Sequence, residues 1–276
     1  MNQVWINGTL QSAISVADRG LQYGDGLFET LAVIDGDCPW FDLHYQRLCL
    51  GCARLLLPPP DKTRLLQEVR QAATAQHRAV IKIILTSGSG GRGYARPGQI
   101  QPSRIIMQYA WPAYPTDHWQ QGVRVHQCRT MLACNPALAG IKHLNRLEQV
   151  LAHQECQDED CAEGLMQNHH GTVIEGTMSN VFLVHNDVLH TPDLTRCGVD
   201  GLARRQLLAL AHAAGIETVI GEYTDRDFET ADEIMLSNSL IGIWPVREYA
   251  NRKYQPGPVY RQLQSKLVKD YPVIDA

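Results

Sequence analysis

A chain of 276 residues, 44% hydrophobic and 20% charged, has an ordinary globular composition and the length for one large core or two medium domains. A formal net charge of -4, with no Lys/Arg run, argues against a nucleic-acid surface. No apolar run reaches the roughly 20 residues that span a bilayer, and the N-terminus lacks the basic start and apolar block of a secretion signal. A cytoplasmic protein with no membrane partner is expected.

Val4-Trp5-Ile6 followed by Asn7-Gly8 predicts a strand entering a tight hairpin. Asp18 to Thr30 brings three glycines around Tyr23 and Asp25, which suggests either a loop whose backbone approaches a ligand or a structural turn. Leu27 to Ile34 reads as a strand, and Asp35-Gly36 as the next hairpin turn. A helix is expected from Asp42, taken as its cap, to the triple Pro58-Pro59-Pro60. Its first apolar face is Phe41, Tyr45, Leu48, Cys52 and Leu55; Arg47 and Arg54 interrupt a second, leucine stripe. An arginine there either snorkels to water or holds a buried anion.

Val80 to Thr86 predicts a strand, and Gly88 to Gly93 then matches the G-x-G-x-x-G spacing of dinucleotide sites. The context fails, because Arg96-Pro97-Gly98 breaks the chain before any helix. The stretch reads instead as a glycine-rich loop presenting Arg92 and Tyr94 to a cavity. Arg104 to Tyr109 is a further strand, and Trp111 to Asp117, with two prolines, reads as a linker.

Val123 to Gln127 opens the second half as a strand. Leu144, Leu147 and Leu151 then recur at helical spacing, predicting a helix that starts just after Lys142. Read alone, Lys142 is either a solvated loop lysine or an amine kept neutral by the helix macrodipole, able to act as nucleophile or base. Two strands flank His169-His170-Gly171, and the second leads into Glu175, a site carboxylate or an edge charge. Asn186-Asp187 turns the chain again. Gly201 to Ala214 reads as a helix closed by Gly215, with an opening suited to an anion. Glu233 to Ser237 is a strand, and Tyr260 to Lys269 the last helix.

Of the eight cysteines, Cys49 and Cys52 form a C-x-x-C inside a predicted helix, and the other six are scattered. Small buried hydrophobes are the expected reading, with no metal and no disulfide.

Together these segments resemble the pyridoxal-phosphate enzymes of fold type IV, the group of branched-chain and D-amino-acid aminotransferases and aminodeoxychorismate lyase. The resemblance lies in Tyr23 to Glu29, His44 to Leu48, the Lys142 segment, Glu175 with Asn180-Val181-Phe182, Val199-Asp200-Gly201, and Ser237 to Val246. Within the group, Ser87 to Tyr94 and Asn135 to Gln149 are similar to the lyases. The resemblance implies an α+β chain with an N-terminal domain over 1–112, a linker over 113–118, and a lysine-bearing C-terminal domain over 119–276. The cofactor, pyridoxal 5'-phosphate, would lie in the interdomain cleft of a homodimer. Lys142 would hold it covalently and act as base, and Glu175 would keep its ring nitrogen protonated. Arg47, the N–H groups of Leu202 and Ala203, and the Ser239 hydroxyl would bind its phosphate. Ala203 departs from the Thr that many of the aminotransferases carry there, which removes one side-chain contact. Arg92, Tyr94 and, third, Tyr23 are the candidates for a small-molecule substrate. The implied reaction takes 4-amino-4-deoxychorismate to 4-aminobenzoate and pyruvate. Transamination on the same residues and a non-catalytic binding protein are the alternatives.

Overall fold

The computed structural model describes residues 3–73, 77–156, 158 and 160–271. The chain forms two units, Met1–Pro112 with Ile141–Asn145, and Ala113–Gly140 with Arg146–Ala276.

The first unit contains β1 (Val4–Ile6), β2 (Thr9–Leu10), α1 (Arg19–Tyr23), β3 (Gly26–Ile34), α2 (Phe41–Leu55), α3 (Lys62–Ala73), β4 (Arg78–Thr86) and β5 (Ser103–Ala110). Its sheet runs β2-β1-β5-β4-β3 with antiparallel neighbours. Asn7 and Gly8, at φ 53° and 86°, make the expected hairpin between β1 and β2. Ile81, Ile83 and Leu85 alternate along β4 and are buried, with Leu65, Val69 and Ala72 of α3 also in the core. Gly51 lets α2 lie close to β3, since a Cβ there would fall 2.7 Å from the Leu27 side chain.

Three sequence expectations change here. Trp40, not Asp42, precedes α2, and no side chain caps the helix. Asp42 stands in the first turn and pairs with Lys62 at 3.0 Å, a place that suits an acid by charge alone. Asp35-Gly36 does turn the chain, but the partner of β3 is β4, reached through α2 and α3. The glycine-bounded stretch around Tyr23 contains the short helix α1, capped by Asp18 and closed by Gly24 at φ 63°.

The second unit contains α4 (Asp117–Gln120), β6 (Val123–Gln127), α5 (Leu147–Gln154), β7 (Cys161–Gln167), β8 (Val173–Gly176), β9 (Asn180–His185), β10 (Val188–Pro192) and α6 (Leu202–Ala213). It continues with β11 (Thr218–Gly221), α7 (Asp225–Thr230), β12 (Glu233–Asn238), β13 (Gly242–Tyr249), β14 (Arg252–Lys253) and α8 (Pro258–Asp270). The sheet runs β11-β10-β9-β12-β13-β6-β7-β8, with β14 beside β13. The β10–β11, β6–β13 and β6–β7 pairs are parallel. Strands β9 and β12 are buried along almost their whole length, which is why they read as apolar runs rather than alternating ones.

The helix expected just after Lys142 begins five residues later, at Leu147. Lys142 to Leu144 are instead laid along β3 by backbone hydrogen bonds, so Lys142 belongs to the first unit and not to the second. Its amine is therefore not at a helix mouth. The periodic Leu147 and Leu151 that suggested the helix are exposed.

Cys156 and Cys161 form a disulfide, contrary to the all-thiol expectation. Cys156 follows α5 and Cys161 opens β7, and this short return brings their Cα atoms to 5.8 Å, within bridging range. Sequence spacing alone does not reveal that return. Among the described residues no group of three His, Cys, Asp or Glu could hold a metal ion, and no helix is long and apolar enough to cross a membrane.

Candidate active site

In the first unit, the Phe28 N–H donates to the Lys142 carbonyl at 2.9 Å and the Leu144 N–H to the Gly26 carbonyl at 3.0 Å. A bridge between Leu27 and His143 completes this short ladder. The backbone of Lys142 is thereby held by a strand rather than by a loop. Its Nζ lies 4.4 Å from the centroid of the Phe28 ring, and Lys82 Nζ lies 5.3 Å from the same centroid. Lys82 is not among the residues that the sequence marks for a site. The available signal was a lysine inside the apolar run of β4, in register with Thr30 two residues from Phe28.

Glu29, the residue after Phe28, points to the opposite face of β3, where it is buried. Arg47 donates to it through Nε at 2.8 Å and Nη2 at 2.6 Å. His44, one turn earlier on α2, approaches Glu29 with Nδ1 at 2.6 Å. Burial by itself would raise the Glu29 carboxyl; Arg47 and His44 hold it down to about 2. Desolvation lowers His44 below its ordinary value despite the adjacent carboxylate. Of the two readings of an arginine on the leucine stripe, Arg47 holds a buried anion, and that anion is Glu29. Arg54, on the same stripe, is exposed.

The glycine-rich loop after β4 is fastened by Arg19. Its Nη1 donates to the carbonyls of Gly93 at 3.0 Å and Ala95 at 3.3 Å, its Nη2 to Tyr94 at 3.1 Å, and its Nε to Asp25 at 3.0 Å. Asp25 also takes Ser87 Oγ at 2.8 Å and the Arg96 guanidinium. Burial works against this carboxylate, yet Arg96, Ser87 and Arg19 bring it down to about 2. Tyr23 is half-buried under the Arg19 guanidinium, 4.7 Å from ring centroid to Cζ, and its ring is 5.7 Å from that of Tyr94. Tyr23 and Tyr94 thus come together. Arg92 and Tyr94 are both exposed, Tyr94 by 90%. Both side chains are left open to solvent, while Arg96 of the same loop turns inward to Asp25 and the Leu55 carbonyl.

In the second unit, Glu175 stands next to last in β8 with its side chain buried, and Oε2 accepts the Val199 N–H at 2.8 Å. Asn180 Nδ2 donates to the Val199 carbonyl at 2.8 Å. Gly140 joins the same loop, donating to the Gly198 carbonyl at 2.9 Å and accepting from Asp200 N–H at 3.1 Å. Helix α6 begins just beyond, after Gly201, with no side-chain cap, and both Leu202 and Ala203 are buried. Uncapped first-turn N–H groups in a buried setting call for an anion. Ser239 follows β12 with little exposure, in a turn shaped by Asn238 Oδ1, which accepts from Leu240 and Ile241 N–H. The buried Ser237 hydroxyl has no hydrogen-bond partner among the described residues.

Residues 26–249 match the model of the amino-transferase class IV family. The chain is 34% identical to the aminodeoxychorismate lyase of Vibrio harveyi over 267 residues, covering 95% of this chain and 98% of that one. It is 29% identical to a putative branched-chain-amino-acid aminotransferase of Methanocaldococcus jannaschii, covering 96% and 95%. Its structure is similar to that of 4-amino-4-deoxychorismate lyase from Pseudomonas aeruginosa, with a TM-score of 0.93, 48% identity, and coverage of 97% and 98%. With a match that spans most of its length, the chain belongs to the amino-transferase class IV family.

Proposed function

We propose that this protein is a pyridoxal-phosphate-dependent lyase that converts 4-amino-4-deoxychorismate to 4-aminobenzoate and pyruvate. The observation that carries this reading is the near full-length likeness to two lyases, at 34% and 48% identity, which exceeds the 29% likeness to the aminotransferase.

Each unit, taken by itself, offers groups of the kind the cofactor would need. The uncapped start of α6 supplies donors for a phosphate through Leu202 and Ala203 N–H, and Ser239 offers a hydroxyl. Buried Glu175 supplies a carboxylate for a protonated ring nitrogen. Arg47, its plane fixed by Glu29, supplies a guanidinium for the phosphate. When bound, the cofactor provides an electron sink for a carbanion at the amine-bearing carbon.

Lys142 would hold the cofactor through its amine, and the same amine would serve as the base that takes the proton from the substrate's amine-bearing carbon. The β3 ladder fixes where that amine starts from, and the Phe28 ring gives it an apolar wall. The ring C–O bond to the enolpyruvyl group would then break, the proton held by Lys142 going to the departing enolpyruvate to give pyruvate, and the ring would become aromatic, which drives the step. The protein is left to bind, orient and move one proton. The substrate carries two carboxylates; Arg92 is proposed for one and Lys82, beside Phe28, for the other, with Tyr23 and Tyr94 lining the approach. A homodimer belongs to the same reading, in keeping with the exposed apolar side chains Val16, Leu21, Leu56 and Tyr94 on the first unit, and a cytoplasmic location is proposed with it.

The test is to incubate the cofactor-loaded protein with aminodeoxychorismate and measure both products. Equal amounts of pyruvate and 4-aminobenzoate are expected, with only weak amino transfer from common L- or D-amino acids to 2-oxo acids. Efficient amino transfer without pyruvate release would make the chain an aminotransferase.

A further inference from the structure

Glu163 lies on β7, is 1% exposed, and has no place in the chemistry above. Its carboxylate accepts five hydrogen bonds. Oε1 takes Gly164 N–H at 2.9 Å, Thr177 N–H at 3.0 Å and Thr177 Oγ1 at 2.5 Å. Oε2 takes Met178 N–H at 3.2 Å and Ser179 Oγ at 2.8 Å. Every donor is neutral. Desolvation pushes the carboxyl up, and the Thr177 and Ser179 hydroxyls with the Gly164 and Met178 N–H groups oppose that shift. A glutamine could not replace this pattern, because its amide nitrogen would turn donors against donors.

Four of the five donors come from the turn 177–179, which joins Glu175 near the end of β8 to Asn180 at the start of β9. Gly176 is tailored to the same arrangement. A Cβ there would fall 2.3 Å from Ser179 Oγ and 2.9 Å from Glu163 Oε2. The two residues bounding this turn grip one residue from both sides, Glu175 taking the Val199 N–H and Asn180 donating to the Val199 carbonyl. The Asn180 amide also lies against Gly201, where a Cβ would be 1.9 Å from Oδ1. Gly201 is the residue from which α6 starts.

From this chain of contacts we infer that Glu163 is a positioning residue for the cofactor. By templating the 176–179 turn it sets Glu175 for the ring nitrogen and, through Val199 and Gly201, sets the first turn of α6 for the phosphate. One buried side chain that touches neither end thus controls both. The inference rests on the proposed cofactor chemistry.

The experiment compares Glu163→Gln with Glu233→Gln. Glu233 is a second buried carboxylate of the same unit, which accepts Val259 and Tyr260 N–H at the start of α8. For each protein, unfolding of the apo form is measured, then binding of inorganic phosphate and of pyridoxal phosphate to the apo form, and the pH profile of the visible band. Both variants are expected to lose stability. Only Glu163→Gln is expected to weaken phosphate and pyridoxal phosphate by roughly tenfold or more and to move the pH profile. If Glu163→Gln does not fold, Ser179→Ala, which removes one donor of the five, should shift both affinities in the same direction by a few-fold. Unchanged affinities in whichever variant folds overturn the inference, leaving Glu163 a purely structural residue. Wild-type protein that binds phosphate but no pyridoxal phosphate overturns the parent reading and this inference with it, whereas wild-type protein that binds both, with unchanged binding in the variant, overturns this inference alone.

Discussion

Arg47 and Glu29 meet as a two-point pair, Nε to Oε1 at 2.8 Å and Nη2 to Oε2 at 2.6 Å, with both side chains buried. Two parallel charge-assisted bonds fix the guanidinium plane before any ligand arrives, so no rotamer freedom is lost at the moment of binding.

Removing the guanidinium strands a buried carboxylate. Arg47→Ala is expected to destabilise the protein by about 3–5 kcal/mol and to weaken pyridoxal phosphate by roughly ten- to a hundredfold. Arg54→Ala, on the exposed part of the same helix, should change stability by no more than about 0.5 kcal/mol. Urea unfolding and cofactor titration read both. Equal losses from the two variants would show that the wrong arginine has been assigned.

Acid should unfold the chain partly through the same carboxylate. Glu29 falls from 4.5 to about 2 on folding, so its contribution is fully present above pH 4.5 and is lost as the pH falls towards 2. Asp25, from 3.8 to about 2, acts in the same sense. The depression at Glu29 amounts to roughly 3 kcal/mol at about 1.4 kcal/mol per unit. Glu29→Gln should be less stable at neutral pH and should lose less further stability between pH 4.5 and 2. A variant whose acid profile parallels the wild type would assign that loss elsewhere.

Two lysines border the Phe28 ring, and only one is expected to carry the cofactor. Borohydride reduction of the loaded protein followed by peptide mapping should place the pyridoxyl group on Lys142. A label on Lys82 would reverse their roles.

Arg92→Ala should leave the visible band of the bound cofactor intact while lowering kcat/KM for aminodeoxychorismate by roughly ten- to a hundredfold. Loss of the band as well would mean that Arg92 supports the cofactor rather than the substrate.

Alkylation of denatured, unreduced protein should modify six of the eight cysteines and leave Cys156 and Cys161 unlabelled until a reductant is added. Labelling of both without reductant would remove the disulfide from the structure.

Strands were the most legible feature, because β3, β4, β9 and β12 are buried on a large scale and announce themselves as β-branched and leucine-rich runs. Turns at Asn7-Gly8 and Asn186-Asp187 were equally plain, since they adopt the positive φ that these residue types favour. The start of α5 is not legible in the local sequence. Leu144 continues the apolar spacing, yet it is captured by the Gly26 carbonyl, a contact 118 positions away that no local periodicity encodes. Helix α3 was passed over because the prolines at 58–60 suggested an ending, not a short spacer before Leu65 and Val69. In the site, the arginine of the leucine stripe pointed to an anion, but only the fold names Glu29 as that anion. Glu163 had no signal beyond a carboxylate in an apolar strand.

Arg19 grips the glycine-rich loop through three successive carbonyl oxygens, those of Gly93, Tyr94 and Ala95. Such a hold does not register which side chains the loop carries. Residue 94 can therefore be exchanged freely during evolution or by a designer without redrawing the loop, provided Gly91 at φ 79° and Gly93 at φ 64° are kept. The rim at residues 92 and 94 is a replaceable part mounted on a permanent bracket, and a library varied at those two positions around an untouched Arg19 is expected to alter the surface there at little risk to the fold.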